Sequence, residues 1–219
     1  MRSNLVTDKL AHELVTGKLE WSRERVARMT RPYHHGDLRR TLLAAAAEAI
    51  AESGPAALSL RDLARRTGVS HAAPAHHFGD KAGLLTALAA EGFDRLADEL
   101  ERSRADGGGV LDSGVAYVRF AVAHRAHFAV MFQPDLLNTD DPELSVAEDR
   151  ASAALRDAVA TVSEAERGGA DPRIAGLSAW SIVHGFATLW LSGALPRDVG
   201  DDAEEAAREV IRPLFARPL

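Results

Sequence analysis

With 219 residues the chain is long enough to bury a full hydrophobic core, as one large domain or two small ones, which excludes a peptide-like module. It contains no cysteine, so disulfides, thiolate metal sites and a cysteine nucleophile are excluded together. The net charge of −6 is unevenly spread: residues 31–81 hold seven Lys/Arg against five Asp/Glu and five of the nine histidines, whereas residues 82–219 hold thirteen Arg, no Lys and twenty-three acids. A short cationic segment is thus set against an acidic remainder, a polarity suited to meeting a polyanion with one part only.

Alanine and leucine dominate, only 5% of residues are aromatic and β-branched runs are scarce, which favours an all-α fold. Residues 1–30 are polar, with a weak helical pattern through Leu10, Leu14 and Leu19; they read as a flexible arm or a loosely held extra helix, and, with Met29 just ahead of the strong patterning, residues 1–28 also read as an upstream extension. Nothing there has the order of a signal peptide, and the expectation is a cytoplasmic protein. From Asp37 apolar residues recur at Leu38, Leu42, Ala46, Ala49 and Ile50, a first helix that Gly54-Pro55 ends.

Ser59 and Asp62 resemble a capping box opening a short helix through Leu60, Leu63 and Ala64 that stops at Gly68. Ser70 is placed to cap a third short helix running to about His77, leaving Thr67 to Ser70 as the connection. Two short helices joined so tightly make a helix-turn-helix unit, with Val69 and Phe78 positioned to pin it against the first helix. Asp80 caps a long fourth helix carrying Leu84, Leu85, Leu88, Phe93, Leu96 and Leu100, broken at Gly107-Gly108-Gly109.

Further helical patterns cover 110–123, 125–132, 142–167, 172–193 and 202–216. About nine helices result, without an internal repeat. The organisation expected is an extension over 1–30, a three-helix head over 31–81 and a helical body over 82–219. Ile174 to Leu195 is about long enough to cross a bilayer, but Ser178, Ser181, His184, Thr188 and Ser192 interrupt it; a helix buried in the core or a subunit interface is expected, and no membrane partner.

The stretch from Leu58 to Leu85, "LSLRDLARRTGVSHAAPAHHFGDKAGLL", resembles the DNA-binding head of the TetR/AcrR regulators from about Tyr33 to Leu88, in the order and spacing of "S-L-R-D-L-A", "T-G-V-S", "H-H-F" and "D-K-x-x-L-L". The resemblance implies a homodimer placing a recognition helix, residues 71–77, in each of two major grooves of a double-stranded palindromic operator. Ser70, His71, Ala72 and Ala73 then face DNA: His71 donates to a guanine edge or phosphate and the alanines meet thymine methyls, with plain helix propensity as the alternative for the alanines. Pro74 falls in the first helical turn, where a missing amide costs little.

The family usually has an aromatic residue at Ala75, so grip on phosphate passes to His76, His77 and Lys81; Lys81 matches the family's phosphate-contacting lysine and Arg61 another contact position. Arg65 and Arg66 read either as contacts or as solvated surface, as do Arg31, His34, His35 and Arg39. His34-His35, His76-His77, His124 and His127 lack diagnostic metal-ligand spacing, and no phosphate loop, nucleophile elbow or carboxylate pair occurs, so no metal, cofactor or catalytic residue is expected.

In the body, "A-W-S-I-V-H-G-F-A-T-L" at Ala179 to Leu189 is similar to the Trp-His-Gly signature of one TetR C-terminal subgroup. The family resemblance implies an effector pocket, with Tyr117, Phe120, Phe128, Met131, Trp180 and His184 as candidate ligand contacts. Core packing is the alternative for each, and His184 reads also as a structural histidine needing a hydrogen-bond partner. The family's dimer bundle corresponds here to 172–193 and 202–216, where Gly176, Ala179, Ala187 and Gly193 permit close helix approach. The expected function is a repressor released from its operator by an unidentified small molecule; a DNA-binding dimer without an effector is the alternative.

Overall fold

The computed structural model describes residues 35–162, 169 and 171–215. The chain divides into two compact units, residues 1–41 and 42–219. Of the first, the described part is the opening of helix α1, His35–Ser53; the extension expected over 1–30, and Arg31 and His34, lie outside the described residues.

Nine α-helices and no strand occur among the described residues: after α1 come α2 (Leu60–Thr67), α3 (Ala73–Phe78), α4 (Lys81–Ala105), α5 (Val110–Ala123), α6 (Arg125–Met131), α7 (Pro142–Ala160), α8 (Pro172–Ser192) and α9 (Ala203–Phe215). The all-α reading and the nine helices therefore hold. On α1 the apolar face buries Leu42, Leu43, Ala46 and Ile50. Gly54, with φ 76°, ends the helix in a backbone region that favours glycine, and a 3-10 turn, Pro55–Ala57, follows.

Two details of the expected capping are corrected. Ser59 precedes α2 but makes no side-chain cap, and Asp62 binds Arg65 and Arg66 instead of closing a box. Ser70 does not cap α3: its carbonyl accepts from the Ala73 amide at 3.0 Å, and the helix starts two residues later than expected, with Ala72 flanking it. The connection between α2 and α3 accordingly runs over residues 68–72 rather than 67–70. Pro74 then falls in the first turn, where its absent N–H breaks no helical bond, and its ring is buried.

Asp80 caps α4 as expected, Oδ1 accepting from the Gly83 amide at 2.9 Å. At 25 residues α4 is about 37 Å long at 1.5 Å per residue. It packs against α5, α6 and α7, burying Leu84, Leu85, Leu88, Phe93, Leu96 and Leu100. Its outer edge presents Asp94, Asp98 and Glu101 at helical spacing, and Arg150 of α7 reaches all three. Arg208 of α9 pairs with Asp112 of α5 at 2.9 Å, close to where the apolar Ile211 is wholly buried.

Helix α8 departs from the expectation of a buried segment. By length and composition it alone among the described helices could cross a membrane, yet within this chain it fully buries only Val183, Phe186 and Ala187. Ile174 and Leu177 are each 54% exposed and Leu189 46%, on a helix otherwise packed against α5, α7 and α9.

Candidate nucleic-acid interface and ligand cleft

The head brings its predicted contacts together on a short stretch of surface. Ser70, His71 and Ala72 are exposed in the turn entering α3, and Ala75 and His76, three and four residues beyond Ala72, continue the same face. Ala73 and His77 are half-buried, so they sit at its margin. The His76 and His77 rings meet edge-on at 5.7 Å, and His77 lies 6.2 Å from Phe78.

The cations of this region fall into three environments. Arg61 is exposed near the start of α2 and has no ion-pair partner among the described residues. Arg65 and Arg66 are tied up: both bind Asp62, and Arg66 also reaches Glu52 of α1 at 2.8 Å. Those guanidiniums, Arg65 first, hold the Asp62 carboxyl below its ordinary range. Lys81 is half-buried, and its Nζ donates to the Ala56 carbonyl at 2.8 Å, fastening the start of α4 to the turn that follows α1. Nothing in the sequence pattern signals that bond, since a backbone carbonyl 25 residues away leaves no compositional trace.

The body contains a cleft of about 720 Å³. Its wall is assembled from the end of α1 (Ile50, Ala51, Gly54), from α6 and the residues after it (Arg125, Ala126, Phe128, Ala129, Phe132, Gln133) and from the second half of α8 (His184, Thr188, Leu191, Ser192). Of the predicted ligand contacts, Phe128 and His184 line it. Tyr117, Phe120 and Met131 do not; they are buried in the core at 3% exposure or less. Trp180 lines a separate small cavity of about 20 Å³ beside Ser113, whose hydroxyl is buried without a hydrogen-bond partner. The sequence reading missed Ile50, Arg125, Gln133 and Leu191 as wall residues, because only folding carries the end of α1 to α6 and α8.

His184 stands at the centre of an aromatic group. Its ring lies 4.5 Å from Phe132, 5.2 Å from Phe128 and 5.7 Å from Trp180, the last through the four-residue spacing visible in the sequence. The Tyr117 hydroxyl is 2.9 Å from His184 Nδ1, which supplies the partner a half-buried imidazole needs. Burial lowers the His184 pKa, so the neutral ring is favoured, and burial raises that of Tyr117.

A second histidine differs. His127, 6% exposed, has no hydrogen-bond partner at Nε2, which lies 3.8 Å from Glu91 Oε1, within ion-pair reach but beyond hydrogen-bond length. His127 and then Arg95 hold the Glu91 carboxyl down at about 2, against the opposing effect of burial. No group of three or more His, Cys, Asp or Glu side chains suited to a metal ion occurs among the described residues.

Residues 42–88 match the family model described as bacterial regulatory proteins, tetR family, and residues 110–214 match one described as tetracyclin repressor-like, C-terminal domain. Over 61 residues the chain is 43% identical to the HTH-type transcriptional repressor Rv3405c of Mycobacterium tuberculosis, a match covering 28% of this chain and 30% of that relative's length. A solved structure from Rhodococcus sp. RHA1, of a protein described as of unknown function, is 36% identical, with a TM-score of 0.69 over 85% of this chain and 98% of the other. AibR, crystallised with isovaleryl coenzyme A and operator DNA, shares the fold at 20% identity and a TM-score of 0.58, over 83% of this chain and 99% of AibR.

Proposed function

The chain belongs to the TetR family of bacterial regulatory proteins, and on that premise we propose that it is a cytoplasmic, homodimeric transcriptional repressor that a small molecule releases from a palindromic DNA operator. The family is one of regulators rather than enzymes, and no side chain is assigned a catalytic role. The observation that carries the reading is the pairing of an exposed α3 face with a cleft whose wall includes the end of α1.

Each head sets its α3 in a major groove, with Ser70, His71, Ala72 and Ala73 toward base edges and Arg61, His76, His77 and Lys81 toward phosphate. The small Ala72 and Ala75 allow the backbone to approach closely. Two copies associate through α8 and α9, the segments 172–193 and 202–216, where Ile174, Leu177 and Leu189 on α8 and Val210 on α9 remain exposed in the single chain. An apolar face of this kind on a helix already packed along its other side is what a two-fold helical interface buries.

Effector release follows from differential affinity. A molecule filling the cleft touches Ile50, Ala51 and Gly54, which lead directly into the turn that Lys81 holds. A ligand favouring a head spacing that does not fit two successive major grooves lowers operator affinity by the factor by which it prefers that arrangement. The assignment to the Trp-His-Gly subgroup rests on Trp180, His184 and Gly185.

Selection of bound sequences from a random duplex pool tests the reading. A two-fold symmetric winner is expected, bound with an affinity that falls steeply with salt. Failure to enrich any symmetric site overturns the DNA-reading role. Enrichment with no release by any member of a metabolite library favours a dimer without an effector.

A further inference from the structure

We propose that the cleft selects a small organic anion, a carboxylate on an apolar body, with Arg125 as its charge partner. The proposal rests on the effector reading above and narrows it to a ligand class. Arg125 is the one charged residue among the described residues lining the cleft, and no Asp or Glu is among them. That is notable in a body with twenty-three acids against thirteen arginines over residues 82–219. Six other arginines of the body, Arg95, Arg102, Arg104, Arg119, Arg150 and Arg208, each meet a carboxylate, whereas Arg156, Arg173 and Arg212 share with Arg125 the lack of an ion pair among the described residues but do not line the cleft.

Arg125 meets none among the described residues. Its one hydrogen bond among the described residues runs from Nη2 to the Leu191 carbonyl at 3.0 Å, which anchors one edge of the exposed guanidinium and leaves its remaining donors for a ligand. A planar fork held in place on one side is suited to a carboxylate, which it grips through two parallel N–H donors.

The rest of the wall fits the other half of such a molecule. Ile50, Phe128, Phe132 and Leu191 supply an apolar surface, and the volume of about 720 Å³ lies within the range of small-molecule sites. His184 adds a polar group to the wall: Nδ1 is engaged by Tyr117, which leaves Nε2 as the ring nitrogen for a ligand. A cationic ligand would meet Arg125 with no acid to offset the repulsion.

The test uses the full chain and calorimetric titration with octanoate and phenylacetate, each beside its primary amide, and with octylammonium. Both acids are expected to bind, and the amides at least about tenfold more weakly, a difference of one salt-bridge-sized interaction. Arg125→Gln should remove the preference for acid over amide while leaving amide binding unchanged; Arg125→Lys, which keeps the charge but loses the fork, should restore part of it. A thermal melt of each variant confirms that the fold is retained.

Equal binding of acid and amide by the native chain overturns the ligand class, as does an acid preference that survives Arg125→Gln. Binding of octylammonium alone overturns it too. Operator release separates the two readings: acids that bind through Arg125 without releasing the selected duplex uphold the anion site and defeat the effector role, whereas release by neutral or cationic compounds alone upholds the effector role and defeats the anion site.

Discussion

The DNA-reading head and the ligand cleft are built on opposite plans. The head takes its contacts from residues 61–81, a span short enough for one helix, one turn and a second helix to be dictated by local capping and glycine placement. The cleft draws on Ile50–Gly54, Arg125–Gln133 and His184–Ser192, stretches far apart in the sequence that meet only in the folded chain. Reading DNA depends on a rigid local motif, whereas sensing a molecule depends on packing between distant helices, which is also what allows a ligand to alter it.

The largest expected effect lies at the corner joining α3 to α4. A Cβ at Gly83 would stand 2.0 Å from the Phe78 carbonyl oxygen, a backbone atom that cannot rotate aside. Gly83→Ala should therefore destabilise the protein by about 3 kcal/mol by urea titration, and should weaken operator binding because the end of α3 must move. An unchanged midpoint would show that the corner tolerates movement and that the head is less rigid than the contrast requires.

Next in size is the α8 face. Leu177→Glu puts a charge in the proposed two-fold interface while leaving an exposed position of the single chain. Sedimentation should show a shift from dimer to monomer, and operator affinity should fall with it; a dimer that survives would place the interface elsewhere.

Within the head, Arg61→Ala should weaken operator binding and make the salt slope shallower by about one. Arg65→Ala should do less, since Arg65 is committed to Asp62. Lys81→Ala should match Arg61→Ala in slope and also lower the melting temperature, because its bond to Ala56 is lost. A change in stability with no change in slope would make Lys81 a purely structural residue.

In the body, Tyr117→Phe removes the hydrogen bond to His184 and should cost about 1 kcal/mol of stability. Nitrogen chemical shifts of His184 should then change at Nδ1, where the partner is lost. The last effect appears only in acid. The Glu91 pKa is depressed from 4.5 to about 2 in the folded chain, so its contribution is complete above the unfolded value and is lost as pH falls from about 4.5 towards 2. Glu91→Gln should flatten that limb of the stability profile and leave stability above pH 6 without further pH dependence from this site.

The head's legibility has a physical source. Gly68 lies at φ 68°, Asp80 caps its helix, and the apolar spacing of Leu63, Leu84, Leu85 and Leu88 matches their burial. The errors there were of one turn at most, at Ser59 and Ser70, where a side chain able to cap was drawn to another bond or left out of the helix. In the body the aromatic residues were visible but their fates were not: Phe128 and His184 reached the cleft, while Tyr117, Phe120 and Met131 went to the core. Composition marks a residue as apolar without saying which side of a helix meets a void.

The sequence by itself determined that the chain is helical, where its helices break and which short segment carries the helix-turn-helix. These follow from 3.6-residue periodicity and the backbone preferences of glycine, proline and capping side chains, all of them local. Tertiary structure alone decided that Arg125 faces a cleft without a carboxylate, that His184 is met by Tyr117 and that Lys81 holds the Ala56 carbonyl. Each is a relation between residues at least 25 positions apart, fixed by how the helices pack rather than by any preference the residues express alone.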